Sequence, residues 1–229
     1  MNKDILNTAI LSGSFLVLFG IAEILYHKFN VKVELTRKFV HIGTGLLTLL
    51  FPILLGNFWL VLLLCSTYAV ILLLSLKFNF LKSINAIERK SAGSIAYPIS
   101  VSACYLVFDY FHQQYIYFYL PILILAICDP VAALTGKRWP IGKYKIGRGN
   151  KTMMGSGMFF LSAFILSFIG YGATLGGGSI FVAALCSVII GASTSAAEAV
   201  SGKGLDNITV PAVTILAIIF LHLVILPHF

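Results

Sequence analysis

Charged residues are scarce in this sequence. It contains 16 lysines and arginines and 8 aspartates and glutamates, together 10% of its 229 residues, whereas about 25% is usual in a soluble domain. Hydrophobic residues make up 59%, and the mean hydropathy is +0.97. This composition excludes an ordinary soluble enzyme, a disordered protein and a collagen-like fibre. Because the basic residues lie between long apolar runs and not on a polar domain, the net charge of +8 does not indicate a nucleic-acid partner.

Cysteine is also scarce. The four cysteines lie inside apolar runs, and no two of them form a CxxC pair. We therefore expect neither disulfides nor a zinc site.

Long apolar runs are what the sequence has in abundance. A helix needs about 20 mostly apolar residues to cross the hydrocarbon core of a membrane, and an outer-membrane barrel would show alternating ten-residue segments instead. The first run is too long for a cleaved signal peptide, so we interpret it as a retained span. Eight candidate spans lie at approximately 5–26, 40–56, 58–76, 94–112, 115–135, 153–171, 179–200 and 208–226. We predict an all-α, polytopic membrane helical bundle of about eight transmembrane helices, formed by a single domain over residues 1–229.

The basic residues predict how this bundle is oriented. Fifteen of the 16 lie in four segments that separate alternate spans, at 27–39, 77–93, 136–152 and 201–207, and Lys3 is the exception. Basic loops stay on the cytoplasmic side. We therefore expect both termini outside and an integral, multi-pass protein of the plasma (inner) membrane of a prokaryote.

The acidic residues follow the same division. Six of the eight belong to the inner side: Glu23, Asp129 and Glu198 at the inner ends of spans, and Glu34, Glu88 and Asp206 in inner loops. Ionisable groups at membrane depth are costly and usually functional, and a transporter would more often spread polar groups near the midplane. This distribution predicts an active site at the cytoplasmic surface that takes a soluble, charged substrate.

The first motif is RKFVHIGTG at residues 37–45. If a helix begins here, Arg37, His41 and Gly45 share one face. Together with Lys38, they could hold phosphate oxygens at a helix start. The alternative is a positively charged membrane anchor with an interfacial histidine.

The second motif covers residues 128–157. Asp129 lies in an apolar span, and Pro130 frees the Ala126 carbonyl, so a carboxylate beside a broken helix is predicted as a metal or proton-transfer site. A glycine- and lysine-rich loop follows and leads into a helix, a pattern that suits phosphate. Its candidate phosphate-binding residues are Gly136, Lys137, Lys143, Gly149, Lys151, Thr152 and Gly155. The loop is not a Walker A motif, because Asn150 precedes the lysine. The alternative is a basic loop on anionic lipid headgroups.

The third motif, at residues 198–211, contains Glu198, Asp206 and Asn207. Their oxygens suit Mg²⁺, which tends to take one or two carboxylates together with phosphate oxygens. The alternative is a polar turn with a helix start at Asp206 or Asn207.

Taken in order, these motifs resemble the CTP-dependent lipid-alcohol kinases, a family that contains phytol kinase, dolichol kinase and a CTP-dependent diacylglycerol kinase. The resemblance covers RK-x-x-H-x-x-x-G, Asp-x-x-Ala-x-x-x-Gly, Lys-Thr after the loop, and Glu followed by Leu-Asp-Asn-x-x-x-Pro. It runs from Arg37 to Pro211, about three quarters of the chain. Two positions depart from the family pattern: Cys128 stands where a glycine is usual, and Met154 stands where a glutamate is usual.

The resemblance implies transfer of the γ-phosphoryl group of CTP to a membrane isoprenoid alcohol of the phytol or polyprenol type. It implies that Arg37, Lys38, Lys151 and the loop glycines neutralise phosphate. Mg²⁺ would be held by Asp129, Glu198 and Asp206, and Asp129 or His41 would act as base, with Asp129 favoured. The alternatives are a diacylglycerol kinase using CTP, a cytidylyltransferase that makes a CDP-lipid, and a transporter or flippase for a phosphorylated anion.

Overall fold

The computed structural model describes residues 3–86, 93–146, 149–174, 179–202 and 204–226. Glu88, Arg89, Lys90, Arg148 and Lys203, which the sequence assigns to the inner side, lie outside these ranges. The helices are α1 (Lys3–His27), α2 (Val33–Thr48), α3 (Phe51–Leu54), α4 (Phe58–Phe78), α5 (Lys82–Asn85), α6 (Gly93–Tyr110), α7 (Ile116–Leu123), α8 (Asp129–Arg138), α9 (Met153–Thr174), α10 (Ile180–Val200) and α11 (Asp206–Phe220). Two π-helical segments, Ile124–Cys128 and Leu221–Ile225, continue α7 and α11.

Seven helical segments of the described residues are long and apolar enough to cross a membrane. They are Lys3–His27, Val33–Leu54, Phe58–Phe78, Ile116–Arg138, Met153–Thr174, Ile180–Val200 and Asp206–Ile225. The remaining predicted span corresponds to α6, whose apolar part, Ile95–Tyr110, is shorter. The predicted all-α polytopic bundle is confirmed, and its orientation stays a prediction.

The segment Ile116–Arg138 is the central helix of the bundle. Burial covers 72% of its apolar window, against 22–44% in the other six spans. Its residues belong to both apolar cores. The first core includes Phe15, Phe51, Tyr68, Phe108 and Phe118, and the second includes Ile124, Phe159, Tyr171, Ile190 and Ile218. A polar residue in the buried part of this helix, such as Asp129, therefore lies inside the bundle.

The sequence predicted a broken helix at Pro130, but the central helix continues through this residue. Pro130 lies in the first turn of α8, directly after the π-helical segment. A proline cannot donate to the carbonyl four residues earlier, or five residues earlier in a π-helix. The widened turn accommodates this loss, so the helix continues and carries Asp129 inside the bundle.

The basic loop after α8 is an ordered β-hairpin. Strands β1 (Lys143–Ile146) and β2 (Gly149–Thr152) pair antiparallel, with Lys143 opposite Thr152 and Lys145 opposite Asn150. The hairpin returns the chain to the bundle, because Thr152 directly precedes α9. The sequence analysis described this segment as a loop and did not predict strands.

Candidate functional site

A polar cavity of about 300 Å³ lies at the end of the bundle where the basic segments meet. It is formed by the starts of α2, α6, α9 and α11, by most of α8, by the end of α10 and by β2. Twelve of the fourteen candidate residues line it: Arg37, Lys38, His41, Asp129, Gly136, Lys137, Lys151, Thr152, Gly155, Glu198, Asp206 and Asn207. The three motifs, up to 170 positions apart in sequence, therefore form one site.

Asp129 and Lys38 form a buried ion pair in this cavity. Asp129 Oδ2 lies 2.5 Å from Lys38 Nζ, and the two residues are only 8% and 7% exposed. The sequence did not indicate this partner, and the pair gives Asp129 a structural role beside any chemical one. The carboxylate nevertheless keeps Oδ1 free of hydrogen bonds to the described residues, and it lines the cavity.

His41 lies beside this pair. Its Nε2 is 3.0 Å from the Leu125 carbonyl oxygen and 3.7 Å from Asp129 Oδ2. A carbonyl oxygen only accepts hydrogen bonds, so Nε2 carries the proton in this contact. In this arrangement a neutral His41 can accept a proton only at Nδ1, which makes Asp129 the better placed base.

The motif that contains these residues does not start its helix. Helix α2 begins at Val33, so Arg37 and Lys38 lie in its second turn and not at its free N–H groups. Arg37, unlike Lys38, has no ion-pair partner among the described residues. Its Nε is buried without a hydrogen bond to them. An unpaired guanidinium in a polar cavity is suited to an anionic ligand.

Helix α2 also comes unusually close to the central helix. A Cβ atom at Gly45 would lie 2.2 Å from Ala126 Cβ and 2.8 Å from the Tyr97 hydroxyl. Only glycine fits there without a shift, and this contact sets the distance between Lys38 and Asp129 one to two turns away.

A second ion pair joins Lys151, on β2, to Glu198, at the end of α10. Glu198 is 5% exposed, and its Oε2 is buried without a hydrogen-bond partner among the described residues. A buried carboxylate oxygen that lacks a donor is an available ligand for a cation. The described residues contain no group of three or more His, Cys, Asp or Glu side chains that could hold a metal ion. The described side chains would therefore suit a divalent ion that brings phosphate oxygens as further ligands.

A third pair, Lys137 with Glu34, lies at the rim. These side chains are 66% and 36% exposed, and exposed pairs contribute little to stability. Glu34 lines the cavity but was not predicted as a site residue. Its position three residues before Arg37 on one helix was the available signal.

Two glycines let the end of α8 meet the start of α9. A Cβ atom at Gly136 would lie 2.6 Å from Thr152 Oγ1 and 3.3 Å from Gly155 Cα, and one at Gly155 would lie 3.0 Å from the Ala132 carbonyl oxygen. Thr152 Oγ1 accepts a hydrogen bond from the Gly155 N–H at 3.0 Å. The predicted Lys-Thr entry into a helix is present, with Thr152 satisfying one of the free N–H groups of α9.

Asp206 and Asn207 form the start of α11, as the alternative for the third motif predicted. Asn207 Nδ2 donates to the Gly93 carbonyl at 3.1 Å, and the Ser100 hydroxyl donates to the Asn207 carbonyl at 2.5 Å. These bonds hold α11 against α6. Asn207 therefore supports the wall of the cavity, while the Asp206 carboxylate contributes charge to it.

Two candidate residues are not placed in the site. Lys143 is exposed on β1 and does not line the cavity. Gly149 begins β2, and its surroundings lie outside what the structure describes. Met154, the position that departs from the family pattern, does not line the cavity either.

Among the described residues, the charges that line the cavity are balanced. Its cations are Arg37, Lys38, Lys137 and Lys151, and its carboxylates are Glu34, Asp129, Glu198 and Asp206. Three of the four cations are paired. A polyanion entering this cavity needs an accompanying cation, because the lining supplies no net positive charge from these eight groups.

The fold and the cavity define a class: a polytopic helical membrane protein with a charged polar cavity at one end of its bundle. The chain is 30% identical over 191 residues to phytol kinase of Synechocystis sp., an alignment that covers 83% of this chain and 80% of that protein. No protein-family model matches the chain, and no solved structure does so. At this identity and coverage, the chain belongs to the phytol kinase family of lipid-alcohol kinases.

Proposed function

We propose that this protein transfers the γ-phosphoryl group of CTP to the hydroxyl of a membrane isoprenoid alcohol, of the phytol or polyprenol type, at the cytoplasmic face. The observation that carries the proposal is the gathering of three separate motifs around one charged cavity, in a chain similar to a phytol kinase. The lipid-alcohol class comes from that relative, and CTP as donor comes from the motif resemblance.

The charged side chains have distinct roles in this proposal. Arg37, which has no ion-pair partner in the described part of the chain, binds the phosphates, and Lys151 and Lys38 stabilise the charge that develops during transfer. Lys137 attracts the nucleotide at the rim. Asp129, held by Lys38 through Oδ2, accepts the hydroxyl proton of the alcohol at Oδ1.

Mg²⁺ is the proposed metal ion, and Glu198 and Asp206 are its proposed protein ligands. The unpartnered Oε2 of Glu198 and the balanced charge of the lining both favour a cation that arrives with the nucleotide. Such an ion would neutralise the phosphates and orient them for transfer.

Radioactive CTP tests the proposal. Purified protein in lipid vesicles is incubated with phytol and with CTP labelled at either the γ- or the α-phosphorus, and the lipid is then extracted. The expected result is label on the lipid from γ-labelled CTP only. Label from the α position would identify a cytidylyltransferase. Label on diacylglycerol but not on isoprenoid alcohols would identify a diacylglycerol kinase, and transfer to no lipid would overturn the kinase proposal.

A further inference from the structure

A second cavity, of about 250 Å³, lies directly beside the polar one. Its walls come from α1 to α6 and from the start of α11. The side chains are mainly apolar or aromatic, and include Phe15, Phe19, Val40, Tyr68, Leu72 and Val101. Four residues, Arg37, His41, Gly93 and Asn207, line both cavities. The two spaces are therefore neighbours across one shared wall.

The shared wall separates two different chemical environments. On the polar side lie Asp129, Glu198 and three lysines, none of which lines the second cavity. Among the described residues on the apolar side, Arg37 and His41 are the basic ones, and both belong to the wall. A ligand that fits both sides has a polar end at Arg37 and His41 and an uncharged apolar body.

The apolar cavity also reaches the outer surface of the bundle. Leu76 on α4 lines it and is 45% exposed, and Leu72, one turn earlier, is half-buried. Both leucines lie toward the end of α4 (Phe58–Phe78). Because α4 is long and apolar enough to span a membrane, this partly exposed lining residue places the edge of the cavity next to lipid.

We infer that this cavity binds the hydrocarbon segment next to the hydroxyl of the acceptor alcohol. The inference rests on the proposed function. The alcohol enters sideways past Leu72 and Leu76, and its hydroxyl lies at the wall formed by Arg37 and His41, within the site that contains Asp129. Because the volume is below the 300–1,000 Å³ usual for a complete ligand pocket, the far end of a long chain stays in the bilayer.

Thr44 is the residue that sets how much hydrocarbon fits. It follows His41 by three positions on α2 and precedes Thr48 by four, so the three share one helix face, and all line the cavity. Thr44 is half-buried, so a larger side chain there fills the cavity without entering the close contact at Gly45. Leu46, two positions further along the helix, is 49% exposed and provides a matched control.

The test measures binding and turnover separately. Wild type, Thr44→Phe, the milder Thr44→Leu and the control Leu46→Phe are placed in lipid nanodiscs, and the unfolding temperature is measured with and without phytol. Phytol should raise the Tm of wild type and Leu46→Phe, and Thr44→Phe should lose at least about half of that shift. Thr44→Phe should also raise the KM for phytol at least about tenfold, with the KM for CTP unchanged. Thr44→Leu should fall between wild type and Thr44→Phe, which keeps the test valid if the phenylalanine variant does not fold.

The two proposals fail in different ways. Phytol could raise the Tm of wild type but not of Thr44→Phe, while wild type transfers no γ-label to phytol. That result would overturn the proposed function and support the cavity as an alcohol site. Wild type could transfer γ-label to phytol while Thr44→Phe and Thr44→Leu show the same Tm shift and KM as Leu46→Phe. That result would support the proposed function and overturn the cavity assignment. Absence of any phytol shift in wild type would also overturn it.

Discussion

At the scale of single residues, the pairing of Asp129 with Lys38 determines how substitutions at the site should be interpreted. Both side chains are buried in the membrane-spanning bundle, and they lie 2.5 Å apart. Removing one partner of a buried pair leaves an uncompensated charge, which costs about 3–5 kcal/mol. A loss of activity at either position therefore mixes a chemical effect with a structural one.

Asp129→Asn should lower phosphorylation of phytol at least about a hundredfold, or about 2.7 kcal/mol of transition-state stabilisation. It should also lower the Tm, because Lys38 loses the charge of its partner. Turnover of γ-labelled CTP and thermal unfolding in nanodiscs measure the two effects.

The double variant Lys38→Met, Asp129→Asn separates these effects. Removing both charges should restore most of the Tm but none of the activity. Asp109→Asn, an exposed position near the end of α6, is the control and should change neither quantity. Recovery of activity in the double variant would show that Asp129 supports only the structure.

Met154→Glu tests the position where the family pattern has a glutamate. Met154 does not line the cavity, and Glu198 and Asp206 already supply carboxylates there. We expect turnover within about threefold of wild type and an unchanged Mg²⁺ requirement. A gain above about tenfold in a Mg²⁺ titration would mean that a metal ligand is missing from this chain.

At the scale of secondary-structure elements, the site depends on close approaches between helices. The central helix meets α2 at Gly45, and α8 meets the start of α9 at Gly136 and Gly155. Each contact leaves no space for a Cβ atom unless a neighbour moves. These contacts hold Asp129 near α2 and Thr152 near α8, so they control the shape of the cavity more directly than the charged residues do.

Gly136→Ala should therefore be harmful. Gly136 lies in α8 and has no left-handed backbone, so helix propensity alone would favour alanine by about 1 kcal/mol. The added Cβ atom would meet Thr152 Oγ1 at 2.6 Å and the Gly155 backbone at 3.3 Å. We expect a net destabilisation of about 1–3 kcal/mol and at least about a tenfold loss of turnover, measured by thermal unfolding and by label transfer.

Gly157→Ala is the matched control for that substitution. Gly157 lies in α9, and a Cβ atom there would have no neighbour within 4 Å. Alanine should leave activity unchanged and raise stability slightly. If both substitutions gave the same result, the close approach of α8 and α9 would not control the site.

At the scale of the whole molecule, the two cavities lie on either side of one wall of the bundle. The polar cavity draws on α2, α6, β2 and α8 to α11, and the apolar one draws on α1 to α6 and the start of α11. Helix α2 contributes to both, through Arg37 and His41. In the proposed reaction, a water-soluble nucleotide in the polar cavity and a membrane alcohol in the apolar cavity meet at the wall formed by Arg37 and His41.

The orientation of the bundle is tested by cysteine labelling. In a cysteine-free background, Lys82→Cys and Lys143→Cys should be protected from an impermeant thiol reagent in intact cells, and Gln114→Cys should be labelled. All three positions are exposed in the structure, so protection would report the side of the membrane and not burial. Labelling of Lys143→Cys from outside would place the site on the other face. It would contradict the cytoplasmic proposal.

Several features were readable from the sequence because they depend on local composition. Apolar runs of sufficient length must be helices in lipid, since every backbone group needs an internal partner. The three motifs were readable because ionisable residues are costly at membrane depth and therefore stand out. The sequence could not predict whether the helix continues at Pro130, because a proline within a helix is compatible with either a break or a widened π-helical turn.

The sequence by itself determined the helical membrane bundle, its approximate spans and the residues that carry charge at one end. The tertiary structure decided which charges meet. Lys38 pairs with Asp129 across 91 positions, Lys151 pairs with Glu198, and Arg37 is left without an ion pair among the described residues. It also decided that an apolar cavity lies beside Arg37 and His41. Pairing and cavities depend on distances between helices. Those distances are set by contacts such as Gly45 against Ala126, which lie far apart in the chain and follow from packing rather than from local composition.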